Sequence, residues 1–574
     1  MVFPVPVCWA RIACCIASVL VLVFGPASAR DAPGQNAVAS AHPLATDVGE
    51  EIFAAGGNAF DVAVAVTAAL GVVEPQGSGL GGGGFFLLHE AESERSVMVD
   101  ARETAPAAAH ADMYLDADAE VIPGLSLDGA LAAAIPGLPA ALAHLAERYG
   151  NLSLEANLAP AIRLAERGFA VDSTFLQMAR FRLPALRVGA DASVIFLRDG
   201  ELPVEGERLS QPHLAATLRR LAEQGHAGFY EGELAERLVA GVREAGGIWT
   251  LEDLAGYQVV EREPIVLTHR DARIVTASPP SSGGIAIGQI LNILAVEDEI
   301  PRSGEGRRVH LLVEAMRRAY RDRALYLGDP DHVDIPVARL LSREYAAFLR
   351  EQIDPDRATP SESLSLEANV FSSVGRRESR QTSHFSVLDA AGNRVAATIT
   401  LNYPFGSGFV PPGTGVLLNN EMDDFAAQPG VPNVYGLIGF DANAIGPRRR
   451  PLSSMSPTFV ETDDRVTVLG TPGGSRIITI VLQGILATLD RADAHAIVRK
   501  GRFHHQYVPD RIEFEGGALP GDVLVELANL GHALAPRLRP FGDMQVVLWD
   551  RAQGRVEAAS DPRGNGRAAV LPPT

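Results

Sequence analysis

The sequence predicts an α+β protein, and three observations carry that prediction. Helical periodicity dominates residues 137–254 and returns at 283–295 and 307–326. A polar stretch, rich in Ser and Glu, then fills 358–380. Beyond it the pattern turns strand-like. A run opens at Thr382, Asp389-Ala390-Ala391-Gly392-Asn393 reads as a turn, and 394–401 alternates back as a second strand.

At 574 residues and 47% hydrophobic, the chain can bury the core of one large or two ordinary domains. Residues 1–29 belong to neither. Arg11 is their only charge, an apolar run extends from Ile12 to Phe24 broken by Ser18, and Ala27-Ser28-Ala29 fits a small-residue cleavage site. This is the pattern of a secretory signal peptide; a membrane anchor is the alternative, but the run is short for a bilayer. An exported protein, periplasmic or secreted and without stable membrane insertion, is therefore expected. Cys8, Cys14 and Cys15 all lie inside this leader, so the mature chain has neither disulfide nor thiolate nucleophile. A net charge of −20 excludes a nucleic-acid partner. Lys500 is the single lysine, which removes lysine-based catalysis.

Along the chain, 43–55 and 59–73 form two helices joined by Gly56-Gly57-Asn58, the second apolar nearly all round and suited to burial on a sheet. Gly77-Ser78-Gly79-Leu80-Gly81-Gly82-Gly83-Gly84 leads into Phe85-Phe86-Leu87-Leu88, a buried strand. Helix before and strand after is the reverse of a dinucleotide-binding turn, so these glycines read as close backbone packing near a site. Val466–Gly470 is a further short strand, residues 471–475 a tight turn and 476–489 a helix. His504-His505 lacks a ligand spacing and reads as structural. No metal and no cofactor is expected.

The polar stretch before Thr382 has the length of a loop that is functional or cut. If the Gln381–Thr382 bond is cleaved, Thr382 carries a nucleophilic hydroxyl and a free α-amine on one residue. That amine, with a reference pKa of about 7.7–8.0, serves as general base near neutral pH without a histidine. Uncleaved, Thr382 is only a β-branched residue opening a strand.

Seven runs, in order, resemble the gamma-glutamyltransferase family over essentially the whole mature chain. They are residues 77–86, Asp100-Ala101-Arg102-Glu103-Thr104-Ala105-Pro106, residues 381–386, Thr400-Leu401-Asn402, Leu418-Asn419-Asn420-Glu421-Met422-Asp423-Asp424-Phe425, Pro451-Leu452-Ser453-Ser454-Met455-Ser456-Pro457, and Gly470-Thr471-Pro472-Gly473-Gly474-Ser475. Each alone is weak; together they are specific. The resemblance implies a four-layer αββα sandwich of the N-terminal nucleophile hydrolase type. It also implies self-cleavage into a large subunit, 30–381, and a small catalytic one, 382–574, which form a heterodimer.

A γ-glutamyl group presents a carboxylate and an ammonium at one end and an amide at the other. The resemblance places Arg102, Ser453 and Ser454 on the carboxylate. Asp424, Glu421 and Asn402 fall on the ammonium, with Thr400 in the same site, and the backbone N–H groups of Gly473 and Gly474 on the oxyanion. Residues 429–436, with Tyr435, look like the family's lid, a segment shortened in relatives that act as cephalosporin acylases. Two positions depart from the family pattern: Ser383, where Thr is frequent, and Ala101, where a larger residue is common. The expected substrates are glutathione and other γ-glutamyl peptides, with water or an acceptor amino acid or dipeptide taking the acyl group. A glutaryl or cephalosporin acylase of the same fold, and an uncleaved binding homologue, are the rivals.

Overall fold

The run Phe85-Phe86-Leu87-Leu88 lies within strand Gly83–Glu90, and its side chains divide between two cores. Phe85 and Leu87 pack with the residues of a second sheet, Phe86 and Leu88 with a layer of helices. Successive strand residues face opposite ways, so a strand buried on both faces reads as one apolar run. The same division recurs in Asn36–Ser40, where Ala37 and Ala39 face one core and Val38 the other.

This computed structural model describes residues 1–2, 4, 32–296, 304–364 and 382–572. Most of the expected leader (residue 3 and residues 5–29), residues 365–380 of the polar stretch and Gln381 lie outside the described residues. Residues 33–574 form one compact unit, separate from 1–32. Among the described residues no helix is long and apolar enough to cross a membrane.

The first sheet has seven strands in the order Arg567–Leu571, Asn36–Ser40, Ser383–Leu388, Arg394–Thr400, Gly83–Glu90, Arg95–Ala101 and Val260–Arg262. The second has six: Arg555–Ser560, Gln545–Asp550, Arg465–Gly470, Thr458–Thr462, Ala272–Thr276 and Ile265–His269. Every pairing in the first sheet, and each described pairing in the second, is antiparallel. Ser383–Leu388 packs against Arg465–Gly470 and Gln545–Asp550 across the interface. Gly470 permits that approach, because a Cβ there would stand 2.2 Å from the His384 ring.

Helices Pro43–Ala54 and Ala59–Val73 cover the outer face of the first sheet; Gly283–Leu294 and Ile477–Leu489 cover the second. The result is the four-layer αββα sandwich. Ala59–Val73 starts at a capping box in which Asn58 and Asp61 satisfy each other's backbone N–H groups. Alanines then let the helix lie close to the sheet.

Three details differ from the sequence expectation. The helical stretch 137–254 is interrupted where Phe169–Ala170 pairs with Arg208–Leu209. The helix expected from Arg476 begins at Ile477, because Gly474–Arg476 forms a tighter 3-10 turn. The strand expected to end at Leu401 ends at Thr400, and Asn402 adopts a φ of +73°.

Candidate active site

Strand register positions the nucleophile candidate. Ile399 stands opposite Ser383 and Thr398 opposite His384, which sets Thr400 across from Thr382. The two threonine hydroxyls are 3.0 Å apart. Thr382 is 8% exposed and holds a φ of +83°, a region that a β-branched residue enters only under strain of about 1–3 kcal/mol. The uncleaved chain therefore stores strain at the residue that would attack. His384, two residues on, is occupied otherwise: its ring nitrogens contact Thr398 Oγ1 at 2.9 Å and Ser386 Oγ at 3.2 Å. Burial holds its pKa down at about 3, so it is a neutral structural group.

One small cavity gathers the side chains that the sequence singled out. Thr382, Thr400 and Asn402 form one wall, Arg102, Glu421 and Asp424 a second, and Ser453, Ser454, Gly474 and Tyr435 complete it. Gly473 is not among the lining residues but immediately precedes Gly474 in the same turn, with φ of +142° and +56° respectively. A Cβ on Gly474 would lie 2.6 Å from the Tyr435 ring.

The charges here are buried and paired. Arg102 is 1% exposed, donates from Nη2 to Asp424 Oδ2 at 2.6 Å, and pairs with Glu421 through Nη1. Its Nε donates to the Pro451 carbonyl at 3.0 Å, which fixes the plane of the fork. Burial pushes the Asp424 carboxyl upward, opposed by Arg102, Arg323 and Asn433. Two polar atoms in this cavity lack a hydrogen-bond partner, Ser454 Oγ and Glu421 Oε2. Ser453 Oγ accepts from the Met455 N–H at 3.1 Å.

Residues 433–435 hydrogen-bond to these groups and their neighbours. Asn433 Nδ2 donates to Asp424 Oδ1 at 3.1 Å, the Val434 N–H to Asp423 Oδ2 at 3.0 Å, and the Tyr435 hydroxyl to the Asn402 carbonyl at 2.5 Å. A threonine hydroxyl, a paired cation and anion, and a glycine turn thus share one cavity. Such a site can hold an amino acid by both charges and transfer an acyl group.

Several neighbours escaped the sequence. Glu103 is fully buried beside Arg102, neither oxygen has a hydrogen-bond partner, and burial raises its pKa to about 8. Its adjacency to Arg102 in one run was the available signal. Glu74 accepts from Ser383 Oγ at 2.6 Å, so the Ser at that departure from the family pattern is a bonded residue. Arg323, buried in the last turn of helix Glu305–Tyr326, carried no signal beyond its charge. Away from the site, His504 and His505 are engaged by Thr479, Gln506 and Asp510. His310, Glu314 and His532 also cluster, their ligand-type atoms within 4.8 Å of one another. The two rings there bond each other at 2.7 Å, and Glu314 is paired with Arg317 and Arg318.

Two stacked antiparallel sheets between helical layers, with a threonine heading an inner strand, place the molecule in the N-terminal nucleophile hydrolase class. Residues 45–571 match the family model described as Gamma-glutamyltranspeptidase. The chain belongs to the gamma-glutamyltranspeptidase family. It is 42% identical to the glutathione hydrolase proenzyme of Escherichia coli (strain K12), covering 94% of this chain and 92% of that one. Against the glutathione hydrolase proenzyme of Pseudomonas sp. (strain A14) the identity is also 42%, covering 93% of each. Among solved structures it resembles a cephalosporin acylase from Bacillus halodurans, with a TM-score of 0.80 at 28% identity, over 93% of this chain and 95% of that one. It also resembles the gamma-glutamyltranspeptidase of Helicobacter pylori, with a TM-score of 0.55 at 38% identity, over 57% of this chain and 95% of that one.

Proposed function

We propose that this protein is a self-processing gamma-glutamyltransferase and glutathione hydrolase in which Thr382 is the nucleophile. One observation carries the substrate class. The Arg102–Asp424 pair is flanked by an unpartnered hydroxyl, Ser454 Oγ, and an unpartnered carboxylate oxygen, Glu421 Oε2. Buried polar atoms are rarely left without partners. A ligand bringing one acceptor and one donor satisfies both, and an α-amino acid end brings a carboxylate and an ammonium together.

In the precursor, Thr382 Oγ attacks the Gln381 carbonyl, and an N-to-O shift followed by water yields subunits 30–381 and 382–574. In the mature enzyme the freed α-amine takes the hydroxyl proton as Oγ attacks the γ-amide carbonyl. The Gly473 and Gly474 N–H groups face the oxyanion, and each such donor is worth about 10²–10³ in rate. The same proton leaves with the departing amine. A γ-glutamyl ester on Thr382 remains, and water or an acceptor amino acid or dipeptide resolves it. Thr400 Oγ1, 3.0 Å from the nucleophile, orients it. Ser453 joins Ser454 and Arg102 on the carboxylate; Asn402 joins Asp424 and Glu421 on the ammonium; Tyr435 shuts the lid. Residues 1–29 direct export, to the periplasm or beyond.

The fold-level likeness to a cephalosporin acylase favours a second reading, cleavage of a glutaryl amide. That substrate lacks the ammonium, so it leaves Asp424 and Glu421 unserved. Purified processed protein assayed on a γ-glutamyl anilide and its glutaryl analogue separates the two. The γ-glutamyl compound is expected to be cleaved preferentially. Equal or faster glutaryl cleavage contradicts the proposal.

A further inference from the structure

Helix Glu305–Tyr326 supplies none of the residues lining the site, yet two of its side chains reach the loops that do. Tyr320 and Arg323 stand three positions apart and so share one face of the helix. Tyr320 is buried, and its hydroxyl donates to the Ser475 carbonyl. Burial pushes its pKa upward, so the phenol stays protonated as a donor. Its ring meets His504 edge-on, with centroids 5.7 Å apart. Ser475 directly follows Gly473 and Gly474, the turn assigned above to the oxyanion.

Arg323 reaches the opposite end of the site through one hydroxyl. Its Nε donates to Ser282 Oγ at 3.1 Å, and that hydroxyl donates to the Ser453 carbonyl at 2.7 Å. The Ser282 N–H donates to the same carbonyl at 2.8 Å, and the Ser453 N–H to the Pro280 carbonyl at 2.8 Å. Ser281 Oγ donates to the Met455 carbonyl at 2.6 Å. The Ser453 and Ser454 hydroxyls therefore project from a backbone tied on both sides. Burial lowers the Arg323 pKa to about 10, which leaves it cationic at neutral pH. Its charge also opposes the upward push of burial on the Asp424 carboxyl. An apolar side chain would fill the same space without the desolvation cost of a buried cation. The cation's reach is thus what distinguishes this position.

We propose that Tyr320 and Arg323 are positioning residues that tie the oxyanion turn and the carboxylate-binding serines to one helix face. Tyr320 serves the chemical step, and Arg323 serves the grip on the α-carboxylate. The inference rests on the acyl transfer proposed above. On that reading the helix belongs to chain 30–381 and both loops to chain 382–574, so these contacts keep the site aligned across the cleaved chains. The distance between the two loops must match the reach of a γ-glutamyl group from its α-carboxylate to its γ-carbonyl. A misplacement of about 1 Å in such a geometry can cost roughly 10² in rate.

Steady-state kinetics on a γ-glutamyl anilide, with rates referred to the cleaved protein on a denaturing gel, separates the two roles. Tyr320→Phe removes one hydroxyl and keeps the ring, so kcat should fall on the order of tenfold while KM stays within about twofold. Acylation and deacylation both pass through an oxyanion, so the fall is seen whichever step limits the rate. Arg323→Gln should raise KM on the order of tenfold, the size of one hydrogen bond to a charged group, and leave kcat within about twofold. Ser282→Ala breaks the link with the cation in place and should also raise KM. Arg323→Lys keeps a charge and a donor and should recover part of the loss. All four variants should cleave into subunits. A lowered thermal midpoint with wild-type kcat and KM, the same mixture of kcat and KM changes in Tyr320→Phe and Arg323→Gln, or failure of either to self-cleave overturns the proposal. Wild type inactive on the anilide overturns the acyl-transfer reading and this proposal with it, whereas active wild type without the split overturns this proposal alone.

Discussion

Arg102 Nη2 and Asp424 Oδ2 lie 2.6 Å apart, so these two charges serve each other. The free space around them is about 20 Å³, too little for a glutamyl group. On the function proposed above, substrate parts the pair, its carboxylate taking the guanidinium and its ammonium the carboxylate. A ligand carrying both charges exchanges one buried ion pair for two. A ligand carrying one strands the other side.

Asp424→Asn tests this exchange. Removing one partner of a buried charged pair costs about 3–5 kcal/mol, or roughly 10²–10⁴ in kcat/KM. The variant should lose most of the preference for γ-glutamyl over glutaryl anilide while still cleaving into subunits. Retained preference in steady-state kinetics places the ammonium elsewhere.

Arg102→Lys keeps the charge and loses the bidentate fork. A large rise in KM for γ-glutamyl anilide is expected, with self-cleavage unaffected. An unchanged KM would show that another group holds the carboxylate.

Ser454→Ala separates binding from folding. Its Oγ makes no hydrogen bond to the protein, so its loss should leave thermal stability unchanged. KM should rise by roughly fivefold to tenfold, as for one hydrogen bond to a charged group. A drop in stability with unaltered KM would assign the hydroxyl a structural role.

The sandwich was readable because its signals are local. Phe85-Phe86-Leu87-Leu88 and the Ala-rich helix Ala59–Val73 declare burial by composition alone. Site residues were readable as runs, since Arg102, Asp424 and Ser454 sit in separate segments that only the fold unites. What stayed hidden depends on three-dimensional neighbours. The pairing of Arg102 with Asp424 spans 322 positions, and Glu74 meets Ser383 across 309. The φ of Thr382 and the contact of Gly474 with the Tyr435 ring leave no trace in residue type. The His310–Glu314–His532 cluster likewise forms only when a helix meets a distant loop.

Acid should unfold the protein early. His384 and His504 are both held at a pKa of about 3 by burial. A lowered histidine is neutral when folded, while the unfolded chain takes up protons below about 6.5. Stability is therefore full above pH ~6.5 and falls toward pH ~3, by about 1.4 kcal/mol per unit for each such histidine. Urea midpoints at pH 7 and pH 5 should show the drop, and a flat profile would refute it.

The central claim is that Thr382 is both the cleavage point and the nucleophile. N-terminal sequencing of purified wild-type protein and of Thr382→Ala, alongside a denaturing gel, tests it most directly. Wild type should give two chains, one beginning Thr382-Ser383-His384, and should hydrolyse γ-glutamyl anilide. The alanine variant should remain one inactive chain, because one hydroxyl performs both steps. Two subunits from Thr382→Ala, or a single active chain from wild type, would contradict the account.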